Sequence, residues 1–224
     1  MISLTELLKF SIFSFLNPKD LEPLLPHLHE RHVRRGQILF MEGEIGSQVY
    51  FVLSGQIKLS TILPNGEEQI VNWCGPYDSF AETLLLESGP YPATAEVTAD
   101  SKVLILNNEH VAGILMENPR LAVALVRTLN KRLRLCQEYI RILTSRSAAG
   151  VVAALLLRLA RPSDIPGEPI FVNAKLTNRD LAKMAGTSRE CVNRALNHWK
   201  RIGILRLQDN RLEILQPQEL ADWP

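Results

Sequence analysis

The sequence predicts an α+β chain in three parts: an N-terminal antiparallel β-roll of jelly-roll type, a long helix suited to pairing with a second copy, and a C-terminal winged helix-turn-helix. Three observations carry that expectation. Gly36, Gly43, Gly46, Gly55 and Gly66 punctuate short β-branched and aromatic runs at strand-sized intervals. Apolar residues then recur at heptad spacing from Ala122 to Leu143. Two helical patterns separated by a Gly-containing turn precede two strand-like runs. The expected boundaries are 1–117 for the roll, 118–146 for the long helix and hinge, and 147–224 for the helix-turn-helix.

Composition narrows the class. At 224 residues the chain has room for two compact units. No stretch approaches ~18 consecutive apolar residues, so no membrane span is expected. The opening "MISLTELLKFSIFSFL" lacks a basic leader, and Glu6 and Lys9 interrupt its apolar run, which does not read as a signal peptide and points to a cytoplasmic location. Cys74, Cys136 and Cys191 are odd in number and far apart, which argues against a disulfide framework and offers no CxxC metal pair. Residues 148–224 carry 11 basic against 8 acidic side chains, whereas 1–147 carry 14 against 16, a mild bias that permits a basic C-terminal surface.

The elements follow in order. "NPKDLEPLLPHLHERHV" reads as short helical turns broken by Pro18, Pro23 and Pro26. A β unit covers about residues 20–107, with "LPNGEEQ" as a hairpin turn and further strands in "ATAEVTA" and "KVLILN". Asn107 or Asn108 can cap a short helix through Met116, and Pro119 suits the first turn of the next. In that helix Ala122, Val126, Leu129, Leu133, Cys136, Ile140 and Leu143 are spaced 4, 3, 4, 3, 4, 3, a seam for a parallel homodimer; the alternative is a core helix packed on its own domain. Arg127, Lys131, Arg134, Gln137, Glu138 and Arg141 occupy the other faces. Residues 144–150 lose the seam and read as a hinge, "VVAALLLRLA" as a buried helix, Pro162–Pro169 as a loop and "IFVNA" as a short strand.

The last part carries recognizable chemistry. Thr177 with Asp180 three residues later forms a capping box, Gly186 ends that helix, and Ser188 caps the next. Val192, Ala195, Leu196, Trp199 and Ile202 share an inward side, leaving Arg189, Glu190, Asn193, Arg194 and Asn197 outward. The N-terminal residues of such a helix can reach base edges in a major groove. Arginine donates two bonds to guanine, and glutamate accepts from cytosine N4. Thr177 and Ser188, at helix starts, can address phosphates. Two strands around an Asp209-Asn210 turn would form the wing. No nucleophile motif, metal-spaced His/Glu cluster or Gly-rich phosphate loop points to an enzyme.

The whole order, with "RRGQILFMEGEIGSQVYFVLSGQIKL", "FAE" at 80–82, "ATAEV" at 93–97 and "SRECVNR", resembles the cyclic-AMP receptor protein/FNR (Crp/Fnr) family of bacterial transcription regulators, including its cyclic-nucleotide-binding-like roll. The resemblance implies that Arg189, Glu190 and Arg194 read bases, that the operator is double-stranded DNA with TGTGA-like half-sites in an inverted repeat, and that RNA polymerase is a partner. It places an effector pocket at Phe80, Ala81, Glu82, Thr83, Tyr91, Pro92, Ala93 and Thr94, with Leu133, Cys136 and Gln137 on the long helix.

That pocket departs from the cyclic-AMP pattern. The family's Gly-Glu pair is Ala81-Glu82 here, its Arg-Ser pair is Tyr91-Pro92, and its adenine-contacting Thr-Ser pair is Cys136-Gln137. A buried phosphate needs a cation or several N–H donors, so cyclic AMP is not the expected effector. An iron–sulfur cluster lacks its N-terminal cysteines. Haem remains open, with His27, His29, His32 and His110 as axial candidates, in a nitric-oxide- or redox-responsive regulator. A thiol sensor at Cys74 or Cys136, another small organic ligand, a constitutively competent dimer, and a nucleotide-binding interaction module without specific DNA binding are the other readings.

Overall fold

The computed structural model describes residues 2–13, 15–145, 147–161, 170–172, 176–208 and 211–224. The chain forms two compact units, residues 1–66 with 71–135 and residues 67–70 with 136–224. No helix among the described residues is long and apolar enough to cross a membrane.

The first unit opens with α1 (Leu4–Leu7), whose cap Ser3 accepts from the Glu6 amide at 3.2 Å. A 3₁₀ turn (Ser11–Phe13), α2 (Pro18–Leu21) and a second 3₁₀ segment (Glu22–His27) follow. Pro18 begins α2 at a position whose N–H would have had no helical partner. The expected helical turns then stop short. Leu28–Val33 is a strand, β1, paired from Leu28↔Leu106 to Val33↔Ser101. A distant strand supplies its hydrogen bonds, which local pattern does not reveal. His29, Glu30, Arg31 and His32 are exposed along it, the charged character of a protected sheet edge.

The roll continues through β2 (Ile38–Phe40), β3 (Ile45–Gly46), β4 (Gln48–Ile62), β5 (Glu68–Cys74), β6 (Ser79–Phe80), β7 (Gly89–Pro90) and β8 (Thr94–Asn107). The main sheet runs β1-β8-β4-β5, with β2 joined to β8 and β6 to β4, while β3 and β7 pair separately. The "LPNGEEQ" turn is closed by the Gly66 amide on the Leu63 carbonyl at 2.8 Å. The break expected at Gly55 is instead a bulge inside β4, with register shifts on both sides. Gly55 has φ 88°, and a Cβ there would lie 2.1 Å from Ser101 Oγ. The two strands expected near the end of the roll are one, β8.

Two apolar clusters hold the unit. Inside the roll, the rings of Phe40 and Tyr91 stack with centroids 3.6 Å apart, and Tyr50 lies parallel to Phe80 at 5.1 Å. The other cluster gathers Phe10 and Phe13 of the N-terminal segment, Phe51 and Leu104 of the sheet, and Leu121 and Leu125 of the long helix.

Asn107 caps the 3₁₀ turn that leads into α3 (Val111–Glu117), and Pro119 starts α4 (Pro119–Ser145). The N-terminal half of α4 has a buried face that the heptad reading did not find: Leu121, Ala124, Leu125 and Thr128. Thr128 donates to the Ile12 carbonyl at 3.2 Å and to Ala124 at 3.1 Å. The seam itself faces water. Val126, Leu129, Leu133 and Ile140 are 44–61% exposed. The side chain of Leu143, and Arg146 of the expected hinge, lie outside the described residues.

The second unit contains α5 (Ala148–Leu159), capped by Ser147 accepting from the Gly150 amide at 3.1 Å. It continues with β9 (Ala160–Arg161), β10 (Ile170–Val172), α6 (Asn178–Ala185), α7 (Arg189–Arg201), β11 (Leu205–Gln208), β12 (Arg211–Ile214) and α8 (Pro217–Ala221). Its sheet runs β11-β12-β10-β9. The short strand β9 was not expected; it pairs with Phe171 and Val172. The Pro162–Pro169 loop and the Asp209-Asn210 turn lie outside the described residues.

Gly46 leaves no room for a side chain against the roll interior. A Cβ there would meet the buried Tyr91 ring at 2.2–2.5 Å. Gly46→Ala is expected to destabilise the protein by about 1–3 kcal/mol through overpacking, read as a lower urea midpoint.

Candidate nucleic-acid interface

The helix-turn-helix is assembled by short local bonds. The Thr177 hydroxyl accepts from the Asp180 amide at 3.2 Å, and the Asp180 carboxylate accepts from the Thr177 amide at 2.9 Å, a complete capping box. The Thr177 hydroxyl proton also goes to Asp180, at 2.7 Å, so this side chain is held within its own cap. Gly186 adopts the left-handed conformation, φ 62°, and the Thr187 amide reaches back to the Ala182 carbonyl at 3.0 Å. The chain thus turns tightly into α7, whose cap Ser188 accepts from the Cys191 amide at 3.2 Å.

The faces of α7 separate sharply. Val192, Ala195, Leu196 and Trp199 are buried. Ile202, expected to extend that side, is 44% exposed, because the helix ends at Arg201 and its periodicity no longer orients the next residue. Arg189, Glu190, Arg194 and Asn197 are exposed together on the outer side. Asn193 is half-buried among them. Its side-chain oxygen accepts from the Asn178 amide group at the start of α6, tying the two helices together.

Glu190 sits in the first turn of α7. Its own backbone N–H, then the Ser188 hydroxyl, and to a smaller degree Arg189 and Arg194 hold its carboxyl below the usual range. It therefore presents an anion, an acceptor of hydrogen bonds only. The outer edge of α7 is an alternation of forked donors and one acceptor, suited to base edges.

The N-terminal unit is arranged differently. Phe80, Tyr91 and Ala93 are buried, Glu82 and Thr94 are partly buried, and Thr83 and Pro92 are exposed. Ala81 has φ 63°, a left-handed backbone that costs an L-residue roughly 1–2 kcal/mol. The Tyr91 hydroxyl donates to the Gln48 carbonyl at 3.4 Å and the Tyr50 hydroxyl to Gln48 Oε1 at 2.8 Å. Burial first, then the neighbouring Tyr91, pushes the Tyr50 phenol well above its ordinary range. The Thr94 hydroxyl accepts from the Glu42 amide at 3.0 Å. Leu133 is exposed on α4, as are Cys136 and Gln137, which belong to the second unit. Of the histidines, His27 and His110 place their rings 4.5 Å apart, while His29 and His32 are exposed on β1. Among the described residues no group of three or more His, Cys, Asp and Glu is gathered to hold a metal ion.

Residues 30–118 match the family model of the cyclic nucleotide-binding domain, and residues 152–223 that of the Crp-like helix-turn-helix domain. The cyclic AMP receptor protein of Thermus thermophilus is 30% identical over 211 residues, which cover 94% of this chain and 95% of that protein. The chain belongs to the Crp/Fnr family of transcription regulators. The CRP-like cAMP-activated global transcriptional regulator of Mycobacterium tuberculosis is 29% identical over 216 residues, 96% of each chain. The structure of FixK2 from Bradyrhizobium japonicum superposes with a TM-score of 0.74 at 25% identity, covering 87% of this chain and 96% of that one. This Crp/Fnr chain is accordingly a DNA-binding transcription regulator with a cyclic nucleotide-binding-type domain, and not an enzyme.

Two features of the regulator's second unit escaped the sequence. One is the Asn178–Asn193 bond, which joins residues fifteen positions apart and has no local signature. The other is in the wing, where Arg206 and Glu213 are directly paired between β11 and β12. Arg206 Nε donates to Glu213 at 2.6 Å, with Glu213 2% and Arg206 56% exposed. The Glu213 hydrogen bond, then its charge, raises the Arg206 pKa further, as expected of a guanidinium committed to the wing. Arg206→Ala should leave a buried carboxylate without its cation. A lower urea midpoint is expected, smaller for Arg206→Lys than for Arg206→Ala.

Proposed function

We propose that this regulator pairs through the exposed seam of α4 and presents two α7 helices to an inverted repeat with TGTGA-like half-sites, under an effector other than cyclic AMP. The observation that carries the DNA half is the common exposure of Arg189, Glu190 and Arg194 on a helix whose opposite face is buried and whose start is capped. A two-fold dimer would set the half-sites about one helical turn, roughly 10 bp, apart or a multiple of it. RNA polymerase is the partner through which occupancy is read, as the family membership suggests.

The dimer reading rests on the seam. Val126 to Ile140 is an apolar stripe about 21 Å long at 1.5 Å per residue. The exposure of these apolar side chains supports pairing with a second copy.

Relatives at about 30% identity are named for cyclic AMP. The residues here are a poor fit to a cyclic phosphate. Tyr91 offers a neutral hydroxyl that donates to Gln48, its ring is stacked on Phe40, and Pro92 has no backbone N–H. A buried phosphate without a cation or several N–H groups is costly. Ala81 nonetheless adopts the left-handed turn that glycine adopts freely, a backbone path that supplies no cation for a phosphate. An organic molecule without a phosphate suits that combination.

Arg189→Ala and Arg194→Ala should each relax base preference at one position per half-site, at about 1–3 kcal/mol of discrimination. Competition band-shifts against a half-site library check this, and unchanged preference in both variants would refute the placement of α7. Calorimetric titration with cyclic AMP should show no tight site. Tight binding would sink the effector reading and leave the DNA reading intact, and a Soret band on the purified protein would redirect the effector reading to haem.

A further inference from the structure

The first unit contains a groove that neither the DNA-reading face nor the roll interior uses. It lies between the segment Phe15–Asp20 and the first two turns of α4, and its volume is about 420 Å³. That is within the range of small-molecule sites. Leu16 and Ala124 form its buried floor, and the half-exposed Phe15 and Val123 wall it. Arg120 and Arg127 also line it. They stand seven residues apart on α4, hence about 10 Å along the helix axis.

The charges are unbalanced in a way that specifies a ligand. Among the described residues neither guanidinium is held in an ion pair. The acid in the lining, Asp20, accepts from the Asn17 amide at 3.0 Å at the start of α2. Two arginines on a flat polar surface would be an ordinary solvated face. Here they flank a concave apolar trough whose Phe15 and Val123 would gain from being covered. A second copy of the chain is the poorer occupant, because the lining holds two arginines against one carboxylate, so a self-complementary contact leaves a cation unmatched on each side.

We propose that this groove binds a small amphiphilic carboxylate, with its apolar tail on Phe15, Leu16 and Val123 and its carboxylate on the arginines. The planar fork of arginine matches a carboxylate with two parallel hydrogen bonds, and the trough holds the tail. This site is separate from any effector within the roll, and its test does not depend on that reading.

Sodium octanoate is the probe, titrated below its micellar range into the methyl-labelled full-length protein and followed by NMR. The Leu16 and Val123 methyl resonances should shift saturably. 1-Octanol, the uncharged equivalent, should bind at least tenfold more weakly, and so should octanoate to the Arg120→Gln/Arg127→Gln double variant, with distant methyl resonances unchanged. The octanol comparison uses unaltered protein and stands even if the double variant misfolds. Absence of saturable shifts, or equal affinity for octanol and octanoate, would overturn the proposal. So would shifts that follow protein concentration alone, which would make the groove a contact between copies.

Discussion

Tyr91 lies inside the roll against the bare Cα of Gly46 and flat on Phe40. The core of the β-roll is built around that packing. The ring completes a group with Tyr50 and Phe80 across β2, β4, β6 and the segment after β7. The four aromatic rings pack in one buried cluster, and interiors at close-packed density leave little freedom to reposition them. The same packing decides the polar chemistry of the interior. Both phenols turn toward Gln48, one to its carbonyl and one to its side chain, so that part of the roll offers neutral hydroxyls.

The long helix α4 meets two demands with two faces. Its first turns must be buried, and Leu121, Ala124, Leu125 and Thr128 at helical spacing meet that demand against Phe10, Ile12 and Phe51. Thr128 matters because a hydroxyl in such a core needs a partner, and the Ile12 and Ala124 carbonyls supply it. The exposed seam runs along another side of the same helix. One element thus anchors in its own unit through one face while another face offers an apolar stripe outward, the stripe through which pairing is proposed.

At the other end of the chain, orientation rests on small polar devices. The capping box at Thr177, the left-handed Gly186 and the cap at Ser188 define where α6 stops and α7 starts. The bond from Asn178 to Asn193 then restrains the outward helix from its inner neighbour. Asn193, grouped at first with the base-reading residues, is half-buried and engaged in that restraint. In the wing, a buried carboxylate needs Arg206, and the cross-strand register of β11 and β12 places the two opposite one another.

Caps, the Gly186 turn, the split faces of α7 and the heptad seam are local periodicities within a few residues, where backbone geometry alone dictates which side chains share a face. The sequence alone therefore determined the α+β class, the order of roll, long helix and winged helix-turn-helix, and the outward grouping of Arg189, Glu190 and Arg194. Only the tertiary structure decided that Leu28–Val33 is a strand, that Gly55 bulges rather than ends one, that α4 has a second buried face, and that Asn193 and Arg206 answer to Asn178 and Glu213. Each of those depends on a partner brought from elsewhere in the chain, and hydrogen bonding and close packing choose such partners by proximity in space, which periodicity along the sequence does not encode.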